Sequence, residues 1–228
     1  MTSEHKLKPL ASFGRRRGRK LRVEKQGLMD ELLPQLTITL PPQGILAIET
    51  IFPDHKECWM EIGFGGGEHL AHQAALYPDI GIIGCEPYIN GVGDMLKKIE
   101  REKLSNIRIF PDDARLLMER FPDDSLDRVF ILYPDPWPKN RHHKRRLISA
   151  PFLDELARVM KPGALLRLAT DHEDYATWML EQLLAHDSFA WQAEKCADWL
   201  EPSKDWIPTR YEQKRLAGVT TYLEFKRR

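Results

Sequence analysis

The sequence has no apolar run long enough to cross a membrane, and its basic start lacks the apolar segment of a secretory signal. It has only three cysteines, Cys58, Cys85 and Cys196, and no CxxC spacing. An odd, unspaced set is typical of free thiols in a reducing compartment. His142 and His143 have no partner Cys or His at metal-ligand spacing. We therefore expect a cytoplasmic protein with no membrane partner and no metal.

The sequence also lacks net charge, because 34 Lys and Arg residues balance 34 Asp and Glu residues. This balance argues against an indiscriminate polyanion binder. The net charge of zero is, however, the sum of segments whose charges differ in sign. Residues 1–25, 139–146 and 209–228 carry net charges of +7, +5 and +4, and the two segments between them carry −10 and −6. Three compact basic segments on an acidic body indicate a localised anionic partner.

The 228 residues suffice for one domain with a substantial core. Residues 1–25 lack apolar periodicity, so we expect a flexible basic arm there and a single domain over 26–228. In that domain apolar strand-like runs alternate with helical patterns, which predicts an α/β fold with helices on both faces of a mostly parallel sheet. The last strand is a candidate antiparallel addition. The predicted strands are 58–62, 80–85, 107–110, 126–132, 164–169, 189–193 and 219–225.

A glycine-rich segment, Glu61-Ile-Gly-Phe-Gly-Gly-Gly67, follows the first predicted strand. Glycines there allow a tight turn and a close approach of the backbone to a ligand. Gly63, Gly65 and Gly67 give GxGxG rather than the dinucleotide fingerprint GxGxxG, and an acidic residue precedes them. This spacing favours S-adenosylmethionine over a dinucleotide. The alternative is a strand-to-helix turn without a ligand.

Acidic residues end the next two predicted strands. Glu86 ends the second and is suited to accept hydrogen bonds from both hydroxyls of a ribose; a solvated strand-end glutamate is the alternative. Asp112 and Asp113 follow the third strand. We favour Asp113 as the partner of an adenine amine, although either aspartate is also suited to cap the helix that follows.

The most specific segment is the loop of residues 133–146, after the fourth predicted strand. Three prolines within five residues stiffen it and hold Asp135 at the carboxyl edge of the sheet, where ligands of such folds bind. Trp137 and five Lys or Arg residues follow. A rigid carboxylate, an aromatic ring and a cation cluster match a nucleobase and its phosphates.

These motifs together resemble those of the single-chain bacterial tRNA (guanine-N7-)-methyltransferases. The resemblance extends over residues 10–228 and includes Thr170-Asp171, Thr209-Arg-Tyr-Glu212 and the arm sequence of residues 12–19. It implies a class I methyltransferase fold, with a seven-stranded, mostly parallel sheet. It also implies S-adenosylmethionine as methyl donor and N7 of the variable-loop guanosine (position 46) of tRNA as acceptor.

The resemblance also implies roles for individual residues. Asp135 is the expected catalytic residue and part of the cofactor site. The other expected cofactor-binding residues are Glu61, Gly63, Gly65, Gly67, Glu86 and Asp113. The expected substrate-binding residues are Lys139, Asp171, Thr209, Arg210, Tyr211 and Glu212. The expected RNA contacts are Arg141, His142, His143, Lys144, Arg145 and Arg146 in the loop, and Arg15, Arg16, Arg17 and Arg19 in the arm.

The chemistry of N7 methylation sets the expected role of Asp135. Guanine N7 already carries a lone pair, so the enzyme needs to position it and to manage the positive charge that forms on the purine. Asp135 is suited to stabilise that charge, to orient the guanine, or to do both.

Other interpretations remain at this stage. They are a class I methyltransferase for another RNA guanine, a non-catalytic RNA-binding module, and a nicotinamide enzyme that the glycine spacing disfavours. Asp171 is otherwise a helix cap, and residues 209–212 are otherwise a surface loop. We expect a monomer rather than a homodimer. We also expect all three basic segments to border one face of the molecule, at the carboxyl edge of the sheet.

Overall fold

A seven-stranded sheet runs through the protein, in a computed structural model that describes residues 13–213 and 218–228. The strands are β1 (Cys58–Ile62), β2 (Gly81–Cys85), β3 (Ile107–Phe110), β4 (Leu126–Leu132), β5 (Met160–Thr170), β6 (Phe189–Trp191) and β7 (Thr221–Arg227). Their order is β3-β2-β1-β4-β5-β7-β6. Strands β1 to β5 are parallel, and β7 is antiparallel to both of its neighbours. The predicted α/β fold with an antiparallel last strand is confirmed.

Helices cover both faces of this sheet. They are α1 (Val23–Glu31), α2 (Leu33–Leu36), α3 (Ile48–Ile51), α4 (Glu68–Leu76), α5 (Ile89–Glu102), α6 (Ala114–Met118), α7 (Ala150–Val159), α8 (Glu173–Leu184), α9 (Ala197–Leu200) and α10 (Arg210–Gln213), and a 3₁₀ helix spans Asn140–Arg145. On one face Leu28 of α1 and Leu96 of α5 belong to the core. On the other face Leu117 of α6 and Met179 of α8 do. Because both faces are covered, all residues of β1 and β2 are buried, which explains their continuous apolar sequences.

The strand order reverses at β1, whose neighbours are β2 and β4. Ile62 at the end of β1 pairs with Cys85 of β2 and with Ile131 of β4. The loops that follow these three strands therefore start side by side. Such a switch point opens a crevice at the carboxyl ends of the strands.

Strand β5 starts at Met160, four residues before the predicted start at 164. The segment Lys161-Pro162-Gly163 is typical of the end of a helix, which is why the predicted strand starts only at 164. Instead, Met160 pairs with Leu126, and the register between β4 and β5 then shifts before Arg128 pairs with Leu165. A bulge of this kind accommodates a proline, which has no N–H for the ladder.

The described part of the basic arm lies along α5. The backbone N–H of Ile89 donates to the Arg16 carbonyl (3.1 Å), and the Asn90 side chain accepts from Gly18 N–H (3.1 Å). Helix α1 crosses the proposed boundary at residue 25, where Lys25 pairs with Asp94 (2.6 Å). These contacts are polar, so apolar periodicity gives no sign of them. Residues 1–12 of the arm lie outside the described residues.

Asp205 attaches the long segment between β6 and β7 to the face of the sheet. Its carboxylate accepts two hydrogen bonds from Arg167 Nη1 (2.8 Å each), and its carbonyl accepts one from the Gln73 side chain (2.8 Å). Burial raises the pKa of Asp205, but hydrogen bonds from Ser203 and Arg167 and the charge of Arg167 outweigh it and lower the pKa to about 2.

Because its pKa is lowered, the ionised Asp205 carboxylate stabilises the fold, and acid removes this stabilisation. Its carboxylate stabilises the fold fully above the ordinary pKa of 3.8, and this contribution is lost as pH falls from there through about 2. We expect the loss to be about 1–2 kcal/mol, allowing for screening by solvent. Urea unfolding at several pH values between 5 and 2 measures it. The wild type should lose more stability than Asp205→Asn over this range, and parallel curves for the two proteins would contradict the assignment.

Candidate active site

The glycine-rich loop after β1 borders open space. Gly63, Gly65 and Gly67 have φ values of 75°, 55° and 75°, a region that other residues rarely adopt. Among the described residues, no heavy atom outside the adjoining residues lies within 4 Å of a Cβ built at Gly63 or Gly65. The backbone at these two positions is therefore accessible to a ligand, which fits the predicted cofactor site.

Gly91 in α5 is a residue of this region that the sequence interpretation missed. A Cβ there would lie 2.3 Å from the carbonyl oxygen of Gly65, so only glycine lets the helix approach the loop this closely. A second glycine, Gly93, follows within the same helix. Glycines inside a helical pattern are a sequence signal of close backbone packing.

Glu86 joins the glycine loop to the end of β2. Its Oε2 accepts a hydrogen bond from Gly65 N–H (2.7 Å), and its Oε1 accepts one from Tyr88 N–H (2.8 Å). Burial raises the pKa of Glu86, these two hydrogen bonds oppose the rise, and the charges of Asp135 and Glu61 add to it. The fold thus brings Asp135 and Glu61, two other predicted cofactor carboxylates, within electrostatic reach of Glu86.

The two aspartates after β3 have different partners. Asp113 caps α6 by accepting from Arg115 N–H (3.1 Å) and also pairs with the Arg115 guanidinium (2.7 Å). Asp112 accepts from Asp113 N–H (2.7 Å) and pairs with Arg16 of the arm. The capping alternative therefore applies to Asp113, whose contact with a cofactor stays a prediction.

The loop after β4 is held in an unusual backbone conformation. Tyr133 and Trp137 have φ values of 51° and 44°, which are rare for bulky residues. Tyr133 N–H donates to the Ala169 carbonyl (2.7 Å), and Arg146 Nε donates to the Pro136 carbonyl (2.9 Å). Between these anchors Asp135 is exposed, yet nearby protein removes its carboxylate partly from water and raises its pKa.

Arg146 is buried, which contradicts its prediction as an RNA contact. Only 1% of its side chain is exposed, and its guanidinium pairs with Asp174. The guanidinium carbon also lies 5.0 Å from the ring centres of both Tyr175 and Trp178. Neighbouring His143 is half-buried, with its ring against Trp178. The last cation of the basic run thus anchors the loop to α8.

The other basic residues of the loop and arm remain near the surface. Arg145 lies between the rings of Phe13 and Trp137, 5.0 Å from each centre, so the arm and the loop touch. The ring of His142 also packs edge-on against Trp137. The exposed cations include Arg15, Arg16, Arg17, Arg19, Lys139, Arg141 and Lys144, of which Arg16 pairs with Asp112. Phe13 is an aromatic contact that the sequence interpretation missed.

Residues 209–212 belong to a capped helix rather than to a plain surface loop. Glu212 N–H donates to Thr209 Oγ1 (3.2 Å), and Thr209 N–H donates to Glu212 Oε2 (3.4 Å). This is a capping box, and the Thr-x-x-Glu sequence is its signal. Arg210 lies 3.3 Å from Glu68 at the start of α4, and the Tyr211 ring packs against Tyr133. The segment therefore reaches both the glycine loop and the loop after β4.

Only part of the third basic segment, residues 209–228, lies at the carboxyl edge of the sheet. Arg210 does, but Lys226, Arg227 and Arg228 end the antiparallel strand β7 and lie at the opposite edge, where Arg228 N–H donates to the Ser188 carbonyl. The expectation that all three basic segments border one face is wrong for these residues. Lys214 and Arg215 lie outside the described residues.

Asp171 is buried beside a cavity of about 310 Å³. It does not cap α8, because the cap position is His172. In the described part of the chain, Asp171 Oδ2 has no hydrogen-bond partner. Burial, the charges of Asp171 and Asp135, and a hydrogen bond with the Asp171 carboxyl group raise the pKa of Tyr211, so both carboxylates lie near that residue. The cavity residues are Asp171, Leu200, Glu212, Gly218, Val219, Thr220 and Tyr222.

Residues 13–213 and 218–228 contain no membrane-spanning helix and no metal-binding cluster. No helix there is long and apolar enough to span a membrane. No group of three or more His, Cys, Asp or Glu side chains is arranged to hold a metal ion.

Comparisons with known proteins agree with this arrangement. A family model described as "Putative methyltransferase" matches residues 55–222. A tRNA (guanine-N(7)-)-methyltransferase from Caulobacter vibrioides is 47% identical over 220 residues, which are 96% of each chain. One from Roseobacter denitrificans is 48% identical over 94% of this chain and 95% of its own.

Solved structures are similar in fold alone. The 16S rRNA methyltransferase KamB is 17% identical, with a TM-score of 0.56 over 81% of this chain and 95% of its own. An rRNA methylase from Streptococcus thermophilus is 10% identical, with a TM-score of 0.52 over 76% of this chain and 88% of its own.

The strand order, the glycine loop at the switch point and the carboxylates around it define a class I methyltransferase that uses S-adenosylmethionine. The chain belongs to the tRNA (guanine-N7-)-methyltransferase family.

Proposed function

We propose that this enzyme transfers the methyl group of S-adenosylmethionine to N7 of the variable-loop guanosine, position 46, of tRNA. The observation that carries the proposal is the pair of carboxylates in the loops that follow β4 and β5. Exposed Asp135 and buried Asp171 both lie near Tyr211, and Asp171 Oδ2 has no partner among the described residues. A buried acceptor without a partner is costly, so a ligand donor is the natural partner for it. Relatives named tRNA (guanine-N(7)-)-methyltransferase are 47–48% identical to the chain.

The cofactor site in this proposal consists of the glycine loop and the carboxylates around it. Glu86 would accept hydrogen bonds from the ribose, Asp113 would accept one from the adenine amine, and Glu61 would face the amino-acid end. Gly63 and Gly65 leave the backbone open toward the ligand. When bound, S-adenosylmethionine supplies an electrophilic methyl group.

The acceptor site lies between Asp135 and the cavity beside Asp171. Asp171 is suited to accept hydrogen bonds from the N1–H and amino group of guanine, which would orient N7. Guanine N7 needs no base, because it already carries a lone pair. Asp135 would place a negative charge near the purine, which becomes cationic as N7 is methylated.

The test uses tRNA transcripts and labelled S-adenosylmethionine. We expect label in a transcript that has guanosine at position 46, none when adenosine replaces it, and alkaline cleavage at that position after methylation. Label at another guanosine would overturn the proposed position. An absence of label, with active enzyme from a relative as the control, would overturn the activity.

The RNA-binding surface in this proposal is the edge formed by the arm and the loop after β4. We expect Arg17→Ala to lower the slope of log Kd for tRNA against log salt by about one, because one phosphate contact is lost. Lys226→Ala is the matched control, because it removes one exposed charge at the opposite edge. Filter binding at several salt concentrations measures both slopes. Equal effects of the two substitutions would contradict this location.

We propose that the enzyme acts as a monomer in the cytoplasm. Sedimentation velocity of the free enzyme and of its complex with tRNA tests the first part. A single species with the mass of one chain is expected without tRNA, and a stable dimer would contradict the proposal.

A further inference from the structure

His69 on α4 binds Glu61, one of the proposed cofactor residues. Its Nδ1 lies 2.8 Å from Glu61 Oε2, and the exposed fractions of the two side chains are 1% and 4%. A carboxylate only accepts hydrogen bonds, so the imidazole N–H is the donor. This bond holds Glu61 in one orientation at the end of β1.

The His69 ring also contacts Trp206. The two ring centres are 5.2 Å apart, and Phe130 lies 4.7 Å from the His69 ring as well. Trp206 follows Asp205, which attaches this part of the chain to the sheet through Arg167. The ring contact therefore joins α4 to the segment between β6 and β7.

Trp206 in turn binds Glu212, one of the proposed substrate residues. Its Nε1–H donates to Glu212 Oε2 (3.0 Å), and Tyr222 OH donates to Glu212 Oε1 (2.7 Å). Glu212 also closes the capping box with Thr209. Both carboxylate oxygens are thus engaged within the protein, and they hold α10 next to the cavity beside Asp171.

We propose that His69 and Trp206 are positioning residues for the two halves of the site. His69 orients Glu61 toward the cofactor, and Trp206 orients residues 209–212 toward the substrate. The contact between their rings fixes the position of one half of the site relative to the other. The inference rests on the proposed roles of Glu61 and of residues 209–212. Each ring has one hydrogen bond that serves one half of the site, so the two functions are separable.

The hydrogen bond from His69 to Glu61 is tested with two variants that separate the ring of His69 from its N–H donor. His69→Phe keeps a ring but loses the N–H, whereas His69→Asn loses the ring but places an N–H near the position of Nδ1. We expect His69→Phe to raise the Kd for S-adenosylhomocysteine about tenfold, the scale of one charge-assisted hydrogen bond, with the KM for tRNA nearly unchanged. His69→Asn should recover most of the affinity. Isothermal titration and steady-state kinetics measure the two quantities.

The Trp206 bond is tested with Trp206→Phe, which keeps ring packing and removes the Nε1–H. We expect the KM for tRNA to rise about five- to tenfold, with little change in the Kd for S-adenosylhomocysteine. Trp206→Ala, which also removes the ring contact, should raise both. Trp199→Phe is the control, because Trp199 lies in the same segment and packs against Trp191 instead.

The outcomes separate this inference from the proposed function. If Glu61→Gln leaves the cofactor Kd unchanged, the proposed role of Glu61 is wrong. If Glu61→Gln weakens cofactor binding and His69→Phe does not, the positioning role is wrong and the proposed function stands. Equal changes of both constants in His69→Phe and Trp206→Phe, in step with a lower melting temperature, would show a purely structural role and overturn the inference.

Discussion

Asp135→Ala is expected to lower the kcat for methyl transfer by about 10²- to 10³-fold, the scale of one lost electrostatic contact to a transition state. The substitution removes the exposed carboxylate held between the Tyr133 and Arg146 anchors of the loop. The Kd for S-adenosylhomocysteine should change less than about threefold, because the product carries no developing charge. Single-turnover kinetics with saturating tRNA and titration calorimetry measure the two effects.

Two companion variants sharpen this result. Asp135→Asn keeps an acceptor oxygen but not the charge, so a large residual activity would assign Asp135 to orientation of the guanine. A loss of activity as large as that of Asp135→Ala would show that Asp135 acts through its negative charge. Asp154→Asn is the control, because it neutralises an exposed aspartate on α7. Near-normal turnover in Asp135→Ala, with only cofactor binding weakened, would contradict the catalytic role.

Arg146→Ala is expected to lower the free energy of unfolding by about 2–3 kcal/mol, below the roughly 3–5 kcal/mol for broken buried ion pairs, since Asp174 is largely exposed. The substitution leaves the Pro136 carbonyl without its donor and opens space between Tyr175 and Trp178. Because the same side chain anchors the loop of Asp135, kcat should also fall. Urea unfolding at pH 7 gives the stability change.

Lys144→Ala is the matched control, because it removes an exposed cation from the same basic run. Its stability should stay within about 0.5 kcal/mol of the wild type, as for most surface substitutions, while the Kd for tRNA rises. If Arg146→Ala instead keeps the wild-type free energy of unfolding and only raises the Kd for tRNA, Arg146 is an RNA contact.

The strands and the glycine loop after β1 were predictable, because the sequence features that produce them are local. A strand covered on both faces needs a continuous apolar run, as Cys58–Ile62 has, and a glycine is required where φ is positive, as at Gly63. The exposed position of Asp135 in the loop after β4 was predictable for the same reason, since prolines on both sides restrict the backbone wherever the loop lies. Its catalytic role stays a prediction. The capping box of Thr209 and Glu212 was equally readable from its spacing, and the sequence interpretation overlooked it.

Other features depend on contacts between distant parts of the chain. Arg146 and Lys144 are both cations of one basic run, yet only the packing of α8 decides that Arg146 is buried. The contact between His69 and Trp206 joins residues that are far apart in sequence, and neither belongs to a motif.

The sequence by itself determined the order of the elements, the conformation of the glycine loop and the acidic strand ends, because backbone preferences and apolar periodicity act over a few residues. Only the tertiary structure decided which cations face solvent, that Lys226 lies at the far edge of the sheet, and which side chains join the two halves of the site. The reason is that residue type sets charge and size, whereas strand direction and packing between distant segments set where each side chain points.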